Sequence, residues 1–183
     1  MDAASPGNLR AEVHETHTGL VALLGDRAFK VKKPVKTDFL DFSTADRREA
    51  ACVREVELNR RLAPHSYLGV GTFQPPQGEA EPVVVMRRYP DAERLAELVR
   101  SGAPVRSPLR SIAALLASFH ARAARGPAVD REAAASALSA RWEQNLAELR
   151  RHAGRAVDER TLDRVTRLSR RYLAGREPLY RHR

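Results

Sequence analysis

The order in which its patterns follow one another constrains this chain most. Residues 10–17, 20–24 and 27–35 are short strand-forming runs, separated by turn residues at Thr18-Gly19 and Gly25-Asp26. Turn residues between such runs are the hairpin signal, so three antiparallel strands are expected to open the chain. A helical pattern follows to Leu62, with Ser43 as its N-cap, Asp46 in its first turn and Pro64 closing it. Two further strands are predicted at 68–74 and 83–86, the second a VVVM run of the kind buried in a sheet. Past a break at 87–91 only helices are expected, at 93–101, 108–124, 131–152 and 158–174, punctuated by Gly102, Pro104, Gly126, Pro127 and Gly154. The fold class is therefore α+β, an antiparallel sheet with one helix over 9–90 and a helical part over 91–183.

A length of 183 residues suits one ordinary domain. A hydrophobic share of 43% excludes a disordered chain, and an aromatic share of 5% makes the core aliphatic. Leu138, Trp142 and Leu146, and likewise Leu162, Val165, Leu168 and Tyr172, fall at helical spacing and read as core stripes. A single cysteine, Cys52, excludes an internal disulfide and reads as a buried thiol. Neither a signal peptide nor a membrane span is visible, which gives a cytoplasmic reading without a membrane partner. Residues 1–8 read as a frayed start.

The net charge of +9 fits a chain that meets polyanions, and fits equally a base composition that favours arginine. The positive charge is unevenly made. Of the 32 Lys+Arg residues only four are lysine, and Lys30, Lys32, Lys33 and Lys36 all lie in FKVKKPVK, on the third predicted strand or at its end. Lysine is a compact point charge on a flexible stem, suited to phosphate, where arginine is a planar fork. Strand side chains alternate faces. Phe29 and Val31 are expected to enter the core, and Lys30 and Lys32 to share the cleft face, where nucleotide phosphates would sit. A solvated basic strand end remains the alternative. The next helix offers Glu49, Glu55 and Glu57 as acidic partners. The hairpin tip Thr16-His17-Thr18-Gly19 offers hydroxyls and backbone N–H groups that can cover phosphates.

Other candidates are weaker. His14-Glu15-Thr16-His17 is one residue short of the H-E-x-x-H spacing and lies on a strand, so no metal site is expected. His65 and His152 read as surface residues, and His120 lies near a helix end. The arginine-dense 150–183 segment admits an RNA-binding face, against which stand the interleaved Asp158, Glu159 and Asp163.

The run GDRAFKVKKPVKTDFLDFSTADRREAACVREVELNRRLAPHSYLGV, with E-T-H-T-G before it, resembles the N-terminal part of bacterial aminoglycoside-phosphotransferase-like proteins. The closest likeness is to the bifunctional kind, in which a kinase-like domain precedes a P-loop ATP-binding domain. The resemblance implies a protein-kinase-like N-lobe followed by a partial, helical C-lobe, with ATP as ligand and Mg2+ bound through ligands outside this chain. By position it implies Lys30 as the phosphate-contacting lysine, Lys32 as runner-up and Glu55 as the helix partner. It implies Thr16, His17, Thr18 and Gly19 as the phosphate-covering hairpin, Met86, Arg87, Arg88 and Tyr89 as the hinge at the adenine, and LLASFHARA as the first long C-lobe helix. The H-G-D-x-x-x-x-N loop and the metal-binding aspartate of such kinases do not occur here, so no catalytic residue and no metal ligand is assigned and the chain alone is expected to be inactive. The implied function is the ATP-binding portion of a small-molecule phosphotransferase of the aminoglycoside/choline kinase type, its phosphate acceptor undefined. A non-catalytic nucleotide- or protein-binding remnant and, third, a basic RNA-binding protein are the alternatives.

Overall fold

The computed structural model describes residues 11–37 and 39–181. They form two compact units, one reaching His120 and the other beginning at Ala121. The frayed start expected for 1–8, the strand start at Arg10 and Asp38, between the third strand and the first helix, lie outside the described residues.

The first unit is α+β. Strands β1 (Glu12–Glu15), β2 (Gly19–Leu24), β3 (Arg27–Lys32), β4 (Tyr67–Phe73) and β5 (Glu81–Arg87) form one antiparallel sheet in the order β1-β2-β3-β5-β4. Helix α1 (Ala45–Arg60) joins β3 to β4 in sequence and packs on β4 and β5. Cys52 and Val56 of α1 meet Val84 of β5 in the core, ringed by Tyr67, Val70 and Met86. Burial pushes the Cys52 thiol up, so it stays a neutral core side chain.

The turns explain the sheet's start. Leu24 pairs with Arg27, leaving Gly25-Asp26 as a two-residue loop, and Gly25 takes φ +56°, which glycine adopts without steric cost. The first turn is Thr16-His17-Thr18, with Gly19 already inside β2. A Cβ on Gly19 would stand 2.6 Å from the Val31 carbonyl oxygen, so glycine lets the two strands close here. Gly19→Ala is expected to cost about 1–3 kcal/mol, read as a lower urea midpoint. Strand β3 ends at Lys32, short of the expected 35, and Pro34 follows without a backbone N–H to donate.

Two expectations about α1 and the sheet are corrected. The N-cap is Thr44, whose hydroxyl accepts from the Arg47 N–H; Ser43 is instead turned to Asp41, donating to it at 2.6 Å. The alternation along β3 holds, but α1 covers the lysine face. Phe29 and Val31 lie on the other face, half-buried beside Leu20, Ala22, Leu24 and Phe73. Alternation separates two faces without saying which of them a helix will cover.

Beyond β5 come a 3-10 turn (Asp91–Glu93), α2 (Leu95–Arg100) and α3 (Arg106–Ala121). The change from sheet to helices thus falls at the expected place, whereas the division into units falls later, at 120/121.

The second unit holds α4 (Pro127–Ala133), α5 (Ala135–Arg150), α6 (Glu159–Ala174) and α7 (Glu177–Arg181). The helix expected over 131–152 is two helices, parted at Ala134, which is extended at φ −63°, ψ 151°. Helix α5 packs on α6, with Leu146, Leu162 and Leu173 buried. Glu143 accepts two hydrogen bonds of 2.7 Å from Arg170 across the pair. The other stripe residues are not core: Trp142, Val165, Leu168 and Tyr172 are 43%, 38%, 52% and 53% exposed. A two-helix contact covers one side of each helix, and these residues lie beside that contact. Among the described residues no helix is long and apolar enough to cross a membrane.

Candidate functional site

On the covered face of the sheet, β3 presents Ala28, Lys30 and Lys32 in alternation. Buried positions of α1 recur at Arg48, Cys52 and Val56, a four-residue spacing that defines the face turned to the sheet. Glu55 stands beside that face and points at the strand. Its Oε1 accepts from Lys30 Nζ at 2.8 Å, and its Oε2 from Lys32 Nζ at 2.7 Å. One carboxylate therefore holds two ammonium groups, leaving one positive charge in excess on a rigid mount.

The two lysines are not equivalent. Lys32 has 7% of its side chain exposed, and its ammonium lies 5.0 Å from the centre of the Phe42 ring. Lys30 keeps 33% exposed. Lys32 is thus the buried member of the pair, and Lys30 the one partly open to solvent. Burial works against charge on Glu55, but the hydrogen bonds and charges of Lys30 and Lys32 outweigh it and hold the carboxyl below the ordinary carboxylate range. The Glu55 side chain is therefore a carboxylate at neutral pH.

Of the other glutamates, Glu57 pairs with Arg54 at 2.7 Å and Glu49 is exposed. A second ion pair fixes the start of the helix. Arg48, 5% exposed, donates from Nε and Nη2 to Glu81 of β5 at 2.8 and 2.6 Å, and from Nη1 to the Phe42 carbonyl at 2.9 Å. It ties the Phe42 loop, and with it the ring over Lys32, to the sheet.

Two residues from Lys30 toward the start of β3, Ala28 opens a hollow of about 310 Å³. Leu23, Arg87, Arg88, Tyr89 and Pro90 also line it. Leu23 pairs with Ala28 across the β2–β3 ladder, so both project from the lysine face. At about 3.4 Å per residue the hollow lies ~7 Å along the strand from Lys30. The Arg87 and Arg88 N–H groups are engaged by the Ser66 and Asp26 carbonyls, and the Tyr89 hydroxyl by Ser66. Met86 is placed apart from the other three expected hinge residues, in the core under α1.

The hairpin tip lies at the opposite end of the lysine row, since Gly19 pairs with Lys32. Thr16 donates to the Gly19 carbonyl through both N–H (2.8 Å) and hydroxyl (2.9 Å), and Lys33 N–H donates to the Thr18 carbonyl at 2.9 Å. Lys33 Nζ pairs with Glu15, and His17 is exposed. The tip is closed and tied to β3. Arg48, Phe42, Leu23 and Ala28 were not marked by the sequence reading. Only Ala28 carries a local signal, its two-residue offset from Lys30. Among the described residues no group of three or more His, Cys, Asp or Glu side chains is placed to hold a metal ion.

The chain is 52% identical over 170 residues to proteins named uncharacterized in Mycobacterium bovis (Mb2027c) and Mycobacterium tuberculosis (Rv2004c). The match covers 92% of this chain and 34% of each relative, so the chain spans about a third of their length. No family model matches the chain, and no solved structure matches it.

Proposed function

We propose that the first unit is a protein-kinase-like N-lobe that binds ATP, as the nucleotide-binding portion of a small-molecule phosphotransferase of the aminoglycoside/choline kinase type. The observation that carries the reading is the pair Lys30–Glu55. A strand lysine held by a helix glutamate is the arrangement that fixes nucleotide phosphates in kinase-like lobes. The strand order β1-β2-β3-β5-β4, with one helix between β3 and β4, supports it. So does the hollow on the lysine face, apolar at Leu23 and Ala28 and rimmed by charged residues that include Asp91, Glu93 and Arg94, at a distance that lets a nucleotide lie with its base at Leu23 and Ala28 and its phosphates toward Lys30. Arg87, Arg88 and Tyr89 border the base, and Lys32 holds Glu55 in place while Lys30 engages the ligand.

On this reading Mg2+ would accompany the nucleotide, held by protein ligands that this chain does not supply. The phosphate acceptor is a small molecule whose contacts these residues do not define, and the chain by itself is expected to bind without transferring.

Calorimetric titration with ATP tests the reading. Lys30→Ala removes one charge-assisted hydrogen bond, worth about 1.5–3 kcal/mol, and is expected to weaken binding about ten- to hundredfold. Lys33→Ala, whose ammonium is turned to Glu15, is expected to leave it within about twofold. Absence of ATP binding, or equal loss from both variants, would sink the proposal.

A further inference from the structure

The second unit carries a surface that nucleotide binding does not use. Helix α6 exposes Val165, Leu168 and Tyr172 side by side, and with Leu138 and Trp142 of α5 they line an open apolar groove of about 430 Å³. Along the far edge of that apolar strip run Arg160, Arg164, Arg167 and Arg171, all exposed. Their offsets of four, seven and eleven residues bring them within about 60° on the helix circumference, at 100° per residue. Among the described residues none of the four makes a side-chain hydrogen bond or ion pair, whereas the adjacent Arg170 is held by Glu143. Asp158, one of the acids interleaved in this segment, caps α6 through the Thr161 N–H at 2.8 Å. The alternation of charges in sequence thus resolves into an unpaired arginine row in space.

We propose that this face docks an acidic amphipathic helix of a partner protein. The groove takes the apolar side of such a helix, and the arginine row takes carboxylates along one flank. Helix-in-groove recognition reads apolar anchors at three-to-four spacing. At 1.5 Å per residue the arginine row spans ~16 Å, about three helical turns, so Asp or Glu at the same spacing on the partner meets each arginine in turn. A second copy of this chain is disfavoured, because an isologous contact through this face brings two unpaired arginine rows together. Nucleic acid would engage the arginines and leave the apolar strip in water. A bilayer would need the apolar residues on a ridge, and they line a groove.

Trp142 is the chain's single tryptophan and stands in the groove, so its emission reports occupancy directly. The full chain is titrated with a synthetic helix of about 14 residues, leucine on one face and glutamate on one flank. A saturable blue shift is expected. The double variant R164E/R167E should weaken it at least about tenfold, and Leu168→Glu should abolish it, with far-UV circular dichroism unchanged in both. A leucine/lysine helix should not bind. The proposal is overturned if the glutamate helix leaves the emission unchanged, or if the lysine helix binds equally well. It is also overturned if the shift appears only with an RNA oligonucleotide or with anionic vesicles, or on self-association of the unliganded chain.

Discussion

Glu55→Ala is expected to destabilise the first unit by about 3–5 kcal/mol. Two ammonium groups share this carboxylate, and the Lys32 group is nearly fully buried. Removing Glu55 leaves that ammonium with Phe42 as its remaining described contact, and uncompensated buried charge is among the costliest single changes a fold can suffer. The effect has a definite pH signature. The folded-state carboxyl lies below the ordinary carboxylate range, so the unfolded chain binds the proton more tightly. The stabilisation is complete above the ordinary range and is lost as pH falls through the lower, folded value. Denaturant titrations should therefore show the full gap between wild type and variant at pH 7, shrinking under acid. A gap that is constant down to pH 3, or absent at pH 7, would contradict the assignment.

Arg48→Ala is expected to produce a loss of similar size, about 3–5 kcal/mol, through a different path. Arg48 is 5% exposed, and its guanidinium donates to both Glu81 oxygens and to the Phe42 carbonyl. Truncation leaves the Glu81 carboxylate without this partner, frees the Phe42 loop and opens a cavity. Lysine cannot restore the paired bonds, because the two Glu81 oxygens face a planar fork, so Arg48→Lys should recover less than half. Changing Arg48 and Glu81 together to methionine should recover most, since neither charge is then stranded. A thermal melt of the three variants separates these cases. An Arg48→Lys variant as stable as wild type would show that the bidentate geometry contributes little.

Much of the sheet and its helix was legible in the sequence. Period-two and helical patterns, with Gly25-Asp26, Gly19 and Pro64 as punctuation, give the order of the elements because those residues act locally on the backbone. The choice of face on β3 was not legible. Phe29 and Val31 are as apolar as core residues, and only the packing of α1 shows that Lys30 and Lys32 face the helix. The partner of the lysines was equally hidden. Spacing offers Glu49, Glu55 and Glu57 alike, and the singling out of Glu55 came from resemblance, not from geometry. The Arg48–Glu81 pair joins residues 33 apart, which no local pattern reveals. In the second unit helical spacing predicted buried stripes, yet Trp142, Leu168 and Tyr172 lie at the surface, because amphipathic spacing marks a face without supplying what covers it.

On the proposed reading Lys30 meets nucleotide phosphate. An ATP derivative acylated on its terminal phosphate probes that contact by covalent labelling. The amine nearest that phosphate attacks the acyl carbon, ATP departs, and peptide mass spectrometry locates the acylated lysine. Label is expected on Lys30, suppressed by excess ATP, with Lys33 and Lys36 labelled weakly and indifferently to ATP. Label spread over Lys33 and Lys36 with none on Lys30, or label on Lys30 that excess ATP fails to displace, would contradict it.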